Sequence, residues 1–216
     1  MRRKPLGINK VYHVFSKSIA GFVIFNEHAE YARVVETIKY YNNPKPLLSF
    51  SVFKAAKKLR PDTDFPAAKE TLVNIIAYCV MPTHLHLVLQ QLTENGISIF
   101  MGNTLNSYTK FFNGKYGRKG PLWSERFKIV EVGNDDQLLH LTRYVHLNPV
   151  TAYLVDKPED WEWSSYAEYV SNAQKNTKLC TFERLLTIKP APYRDFVEGR
   201  IDYQRELGKI KSLTLD

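Results

Sequence analysis

Apolar and polar positions repeat with a period of two in some segments of the chain and of three to four in others, and the changes of period divide it into elements. Lys10 to Ser16 is rich in β-branched and aromatic side chains and predicts a first strand. Between Asn26, a suitable N-cap, and Asn42, the apolar residues Ala32, Val35 and Ile38 recur at helical spacing. Residues 43–70 break the pattern with Pro44, Pro46, Pro61 and Pro66 and the basic run from Lys54 to Arg60, and read as an insertion holding one short helix. Leu72 to Val80 is a long apolar run, Met81-Pro82-Thr83 is turn-like, and Leu85, Leu87 and Leu89 share one face of the next segment, which together predict a central hairpin.

Phe100, Leu105, Tyr108 and Phe112 lie along a predicted helix from Ile97 to Tyr116 that stops at Gly117, and Phe127 to Val132 supplies a fourth strand. Asn134 or Asp135 caps a further helix, expected to end near Leu147 because Pro149 disfavours helical geometry at Asn148. Strand, helix, strand, strand, helix, strand is the split order of a ferredoxin-like fold: an α+β domain whose antiparallel sheet carries its helices on one face. Residues 1–150 are assigned to this domain. Residues 151–216 are read as a C-terminal extension, acidic and aromatic at first and helical around 193–211.

Composition adds the partner. The 216 residues carry 30 Lys and Arg against 22 Asp and Glu, a net charge of +8 that favours an anionic polymer. Cys79 and Cys180 are too few to staple a secreted scaffold, which points to a reducing cytoplasm. The N-terminus lacks the apolar stretch of a signal peptide, and no window reaches the length that crosses a bilayer, so no membrane partner is expected.

Three groups of residues could carry chemistry. His84 and His86 flank Leu85 on the predicted third strand, so both imidazoles point to one side and could share a metal ion; the plainer reading is a pair of satisfied polar groups at a sheet edge. In the segment from Tyr144 to Pro149, a spacing of four puts Tyr144 and Asn148 on one helical face, with His140 a turn earlier, while Leu138, Leu141 and Val145 form a separate apolar stripe. Tyr144 could attack phosphorus, or it could simply pack by its ring above an asparagine cap. A phenol is mostly protonated at neutral pH and needs help from a cation that polarises the scissile phosphate. Two imidazoles and the amide oxygen of Asn148 form a thiolate-free ligand set suited to Mg²⁺ or Mn²⁺. The general base stays open among His146, His140, Glu125 and metal-bound water.

Between these groups, Lys110, Lys115, Arg118, Lys119, Arg126 and Lys128 are interleaved with Phe111, Phe112, Tyr116, Trp123 and Phe127. Cations can track a phosphate backbone while aromatic faces stack unpaired bases. Lys110, Lys115, Arg118, Lys119, Arg126 and Trp123 are the candidate DNA contacts; Phe112 and Phe127 are assigned to the core.

Met81-Pro82-Thr83-His84-Leu85-His86-Leu87, the run from Gly120 to Phe127 and the run from Tyr144 to Val150, followed by Trp161-Glu162-Trp163-Ser164-Ser165-Tyr166, resemble the REP-associated tyrosine transposases, which are single-tyrosine HUH (His, hydrophobic, His) transposases of the insertion-sequence-200 type. The likeness spans residues 8–170. It implies a divalent metal on His84 and His86, Tyr144 as a nucleophile forming a 5′-phosphotyrosine, and a substrate of hairpin DNA with flanking single strand, often a repetitive palindrome. Many relatives carry glutamine where this chain has Asn148, often asparagine or glutamate where it has Thr83, and lack the insertion at 43–70. Such an enzyme could work as a monomer or a homodimer. Two other classes fit the same residues: a non-catalytic hairpin-binding protein descended from such a transposase, and a metal hydrolase in which Tyr144 is structural.

Overall fold

A computed structural model of the protein describes residues 5–60, 70–171 and 178–213. Its elements run β1 (Val11–Lys17), α1 (His28–Tyr41), α2 (Phe50–Leu59), β2 (Val73–Met81), β3 (His84–Gln91), α3 (Gly96–Lys115), β4 (Lys128–Glu131), α4 (Asp135–Thr151), α5 (Tyr166–Val170), α6 (Pro190–Glu198) and α7 (Ile201–Leu213). The sheet order is β2-β3-β1-β4 with every pair antiparallel, the ferredoxin-like arrangement expected from the element order. Among the described residues the insertion holds one short helix, α2; residues 61–69 of it lie outside them.

Strand alternation gives the sheet two unlike faces. Tyr12, Val14, Leu85, Leu87 and Leu89 are buried on one, whereas register pairs Phe15 with His86 and Lys17 with His84 on the other, which also holds His13. The helices are not confined to one face as the element order suggested. Helix α4 reaches the histidine face, its Tyr144 ring lying against His13 and His86, so the packed pair α1 and α3 is left to cover the leucine face. A single covering layer would have left Cys79 and Val88, both fully buried, open to water.

Helix boundaries shifted where side chains replaced backbone partners. Helix α1 is capped by Glu27 rather than Asn26, because the buried carboxylate of Glu30 accepts hydrogen bonds from the backbone N–H groups of both Asn26 and Glu27. Its buried stripe is Tyr31, Val34, Ile38 and Tyr41, so Ala32 and Val35 are only half-buried. Helix α3 ends at Lys115 with Gly117 in a left-handed conformation (φ +63°), the predicted stop. Helix α4 passes through Pro149 to Thr151 instead of ending near Leu147. Pro149 has no N–H for the Val145 carbonyl, and the Asn148 side-chain amide donates to it instead (3.4 Å), as well as to the Tyr144 carbonyl (2.9 Å).

Beyond residue 151 the chain closes the outer edge of β2. Val80 donates to the Trp163 carbonyl, Ser165 to that of Tyr78 and Thr181 to that of Ile75, each at 2.9 Å. Tyr166, Tyr169, Phe182, Tyr193 and Val197 are buried in the same core as the sheet. The expected C-terminal helix is two, α6 and α7. Among the described residues no helix is long and apolar enough to cross a membrane.

Candidate active site

His84 and His86 project from β3 toward α4 because the leucines between and after them fill the opposite face. Their ring centroids stand 5.0 Å apart with planes at 86°. Two imidazoles bound through nitrogen to one ion at about 90–110° would have centroids roughly 4.6–5.3 Å apart, given metal–nitrogen distances near 2.1 Å. The pair therefore fits a shared divalent ion. Among the described residues no group of three or more His, Cys, Asp and Glu side chains could hold a metal, so further ligands to such an ion would have to be amide, water or phosphate oxygens.

Each imidazole has a partner at Nδ1. His84 Nδ1 shares a hydrogen bond with Thr83 Oγ1 (2.9 Å), and His86 Nδ1 shares one with His13 Nε2 (2.9 Å). Partners of this kind fix ring orientation, and where Nδ1–H is the donor they leave the Nε2 lone pair for an ion. Burial lowers the His84 pKa to about 4, helped by the Lys17 charge, and burial alone lowers that of His13 to about 4. Both rings are neutral at physiological pH, the form in which imidazole ligates metals.

Tyr144 completes the cluster. Its ring meets that of His86 edge-on at 5.7 Å and that of His13 at 6.1 Å, yet it keeps 40% exposure, so it is within reach of the imidazoles and of solvent. Burial, and then the nearby Cys79, push its pKa above the ordinary 10. Asn148 sits one turn on, its amide nitrogen turned back onto the helix, so that Oδ1 is the atom it could offer to an ion.

The other base candidates are placed elsewhere. His146 is fully buried on the far side of α4, sharing 2.8 Å hydrogen bonds with Tyr193 Oη through Nδ1 and with Ser165 Oγ through Nε2. His140 does not join Tyr144; it bonds Arg143 (2.8 Å) and packs against Phe196. Glu125 pairs with Lys128 at 3.3 Å.

Sequence reasoning missed His13. Its signal was the alternation along β1, but connecting it to His86 required the strand pairing across 73 residues.

The candidate DNA contacts divide into two kinds. Lys110 and Lys119 are exposed, while Arg118 leans on Asn113 (3.4 Å) and Arg126 lies over Phe127. Lys115 is held by the carboxylates of Glu27 (2.9 Å) and Glu30 (2.8 Å), and so ties α3 to the start of α1. The Trp123 indole donates to Thr109 Oγ1 (3.1 Å) and packs against Phe25 and Tyr108; with Arg126 it lines a recess of about 620 Å³.

Residues 65–148, which include the histidine pair and end at Asn148, match the family described as "Transposase IS200 like". The chain resembles the IS200-like transposases. A REP-associated tyrosine transposase of Haemophilus influenzae is 28% identical over 102 residues, 42% of this chain and 57% of that relative, so the chain matches little more than half of its length. The solved structure of a REP-associated tyrosine transposase bound to a REP hairpin superposes with a TM-score of 0.51 at 19% identity, covering 87% of this chain and 98% of that one, which shows a shared fold.

Proposed function

We propose that the protein is a divalent-metal-dependent DNA strand transferase, acting on hairpin DNA with flanking single strand through a covalent link to Tyr144. The observation that supports this most strongly is the Tyr144 ring, set 5.7 Å from the His86 ring, itself 5.0 Å from that of His84. A phosphate group bridging phenol and imidazoles would fit that span.

In this reading the Tyr144 oxygen attacks the scissile phosphorus, the tyrosyl O–P bond forms, and the P–O3′ bond breaks. The phenolic proton is given up and the departing O3′ gains one, leaving a 5′-phosphotyrosine. Because the phosphodiester's energy is kept in the link, the end can be rejoined to another strand without ATP. His84, His86 and Asn148 Oδ1 would hold Mg²⁺ or Mn²⁺. When bound, such a cation polarises the phosphate and offsets charge in the transition state. His13 would orient His86 through their shared hydrogen bond.

The test is incubation with end-labelled hairpin DNA and Mn²⁺, followed by denaturing electrophoresis. A labelled adduct is expected with the parent and none with Tyr144→Phe. Cleavage that persists in Tyr144→Phe would support a hydrolase, and tight binding without cleavage a hairpin-binding protein.

A further inference from the structure

Helices α1 and α2 enclose a cleft of about 1160 Å³ on the leucine side of the sheet, lined by Arg33, Lys39 and Tyr40 of α1, Phe50 and Phe53 of α2, and Phe111 of α3. Arg33 makes it unusual. The side chain is more than nine-tenths buried, at 8% exposure, and its guanidinium lies between the Phe50 ring (4.3 Å) and the Phe111 ring (4.9 Å). One terminal nitrogen donates to Ser51 Oγ at 2.7 Å, but Nε has no hydrogen-bond partner, and among the described residues no carboxylate forms an ion pair with it. Glu36, which also lines the cleft, is engaged by Lys54 at 2.5 Å. Burial lowers the pKa of Arg33, and the nearby Glu36 and Tyr41 offset that only in part.

A buried guanidinium with an unpaired Nε and no ion pair among the described residues can take an anion. Lys39 and Lys58, both exposed, add positive charge at the rim. The half-buried rings of Tyr40 and Phe53, 4.8 Å apart and backed by buried Phe50, offer an apolar surface suited to something flat. Aromatic faces beside a phosphate-binding fork are the two halves of a single-strand contact, one for the base and one for the backbone.

We infer that this cleft binds an unpaired nucleotide of the DNA strand, its base against Tyr40 and Phe53 and its phosphate on Arg33. The contact lies on the opposite layer from Tyr144, so it holds flanking single strand rather than the scissile phosphate. It rests on the DNA-binding part of the proposed function and not on cleavage.

The experiment measures fluorescence anisotropy of the full chain with two labelled DNAs, a blunt hairpin and the same hairpin with a single-stranded tail, without added metal. Lys39→Glu combined with Lys58→Glu alters only exposed rim positions. We expect that double variant to lose about 10-fold or more in affinity for the tailed hairpin and little for the blunt one, with a shallower salt dependence for the tailed DNA. Arg33→Met should do the same if circular dichroism shows it folded. Equal affinity of the double variant and the parent for the tailed hairpin would overturn the inference, as would equal losses on both DNAs. Saturable binding of deoxyadenosine monophosphate that Arg33→Met abolishes, with tailed-hairpin affinity unchanged, would overturn it in favour of a free nucleotide. Adduct formation, assayed separately, reports on Tyr144 whichever way this result falls.

Discussion

His146 stands in the same short motif as Tyr144 and reads as catalytic, but the structure gives it a different task, and His146→Ala measures which is right. The hydrogen bonds around it can be assigned by following the protons. Thr142 donates to the Leu139 carbonyl (2.8 Å), so Tyr193 must donate to Thr142 (2.9 Å) and accept from His146 Nδ1–H (2.8 Å). His146 Nε2 then accepts from Ser165 (2.8 Å), which accepts in turn from the Tyr78 N–H (2.9 Å). This chain needs a neutral ring, and burial, by lowering the His146 pKa to about 3, supplies one. Alanine removes two hydrogen bonds, each worth about 0.5–1.5 kcal/mol, and leaves a ring-sized void. Ser165 can turn to the Tyr78 carbonyl (3.2 Å) and Tyr193 keeps Thr142, so the full penalty for orphaned hydroxyls is avoided. The loss should be about 3–4 kcal/mol, a large share of the roughly 5–15 kcal/mol available to a domain. Urea denaturation at pH 7 reads it directly, with Tyr193→Phe as a milder companion at about 1–1.5 kcal/mol. A loss below about 1 kcal/mol with adduct formation abolished would refute the structural role and restore His146 as a base.

Three further outcomes are expected. His13→Ala, by removing the partner of His86 Nδ1, should weaken Mn²⁺ binding about 10- to 100-fold by isothermal titration calorimetry, and unchanged affinity would remove His13 from any supporting role. Glu30 offers a pH test: burial raises its pKa, but hydrogen bonds from Lys115, Tyr116 and the backbone of Asn26 and Glu27 outweigh it and leave the net value below the ordinary 4.5. A carboxyl depressed on folding stabilises fully above its unfolded pKa, and that stability is lost as pH falls through the folded value. Denaturation between pH 6 and pH 3 should therefore show a steeper acid loss in the parent than in Glu30→Gln, and parallel curves would contradict this. Lys115→Ala should lower stability through the same node while affecting DNA affinity less than Lys119→Ala, as read by filter binding.

The two periodicities made most of the architecture legible, since the Leu85, Leu87 and Leu89 face and the Phe100 to Phe112 stripe are local patterns that burial then enforces. The pairing of His84 with His86 was legible for the same reason. What the sequence concealed was long-range. His13 joins His86 only through strand pairing, Lys115 meets Glu30 across 85 residues, and His146 is drawn away from Tyr144 by Tyr193 and Ser165 in a segment whose packing no periodicity announces. The passage of α4 through Pro149 was hidden too, because it depends on a side-chain amide standing in for a backbone donor.

In the proposed reaction one phenol among the 13 tyrosines of the chain becomes bonded to DNA. Digesting the adduct formed on hairpin DNA with Mn²⁺ and mapping the nucleotide-bearing peptide by mass spectrometry tests it. We expect the 5′-phosphate on Tyr144 alone; a stable adduct mapped to any other residue would contradict the assignment.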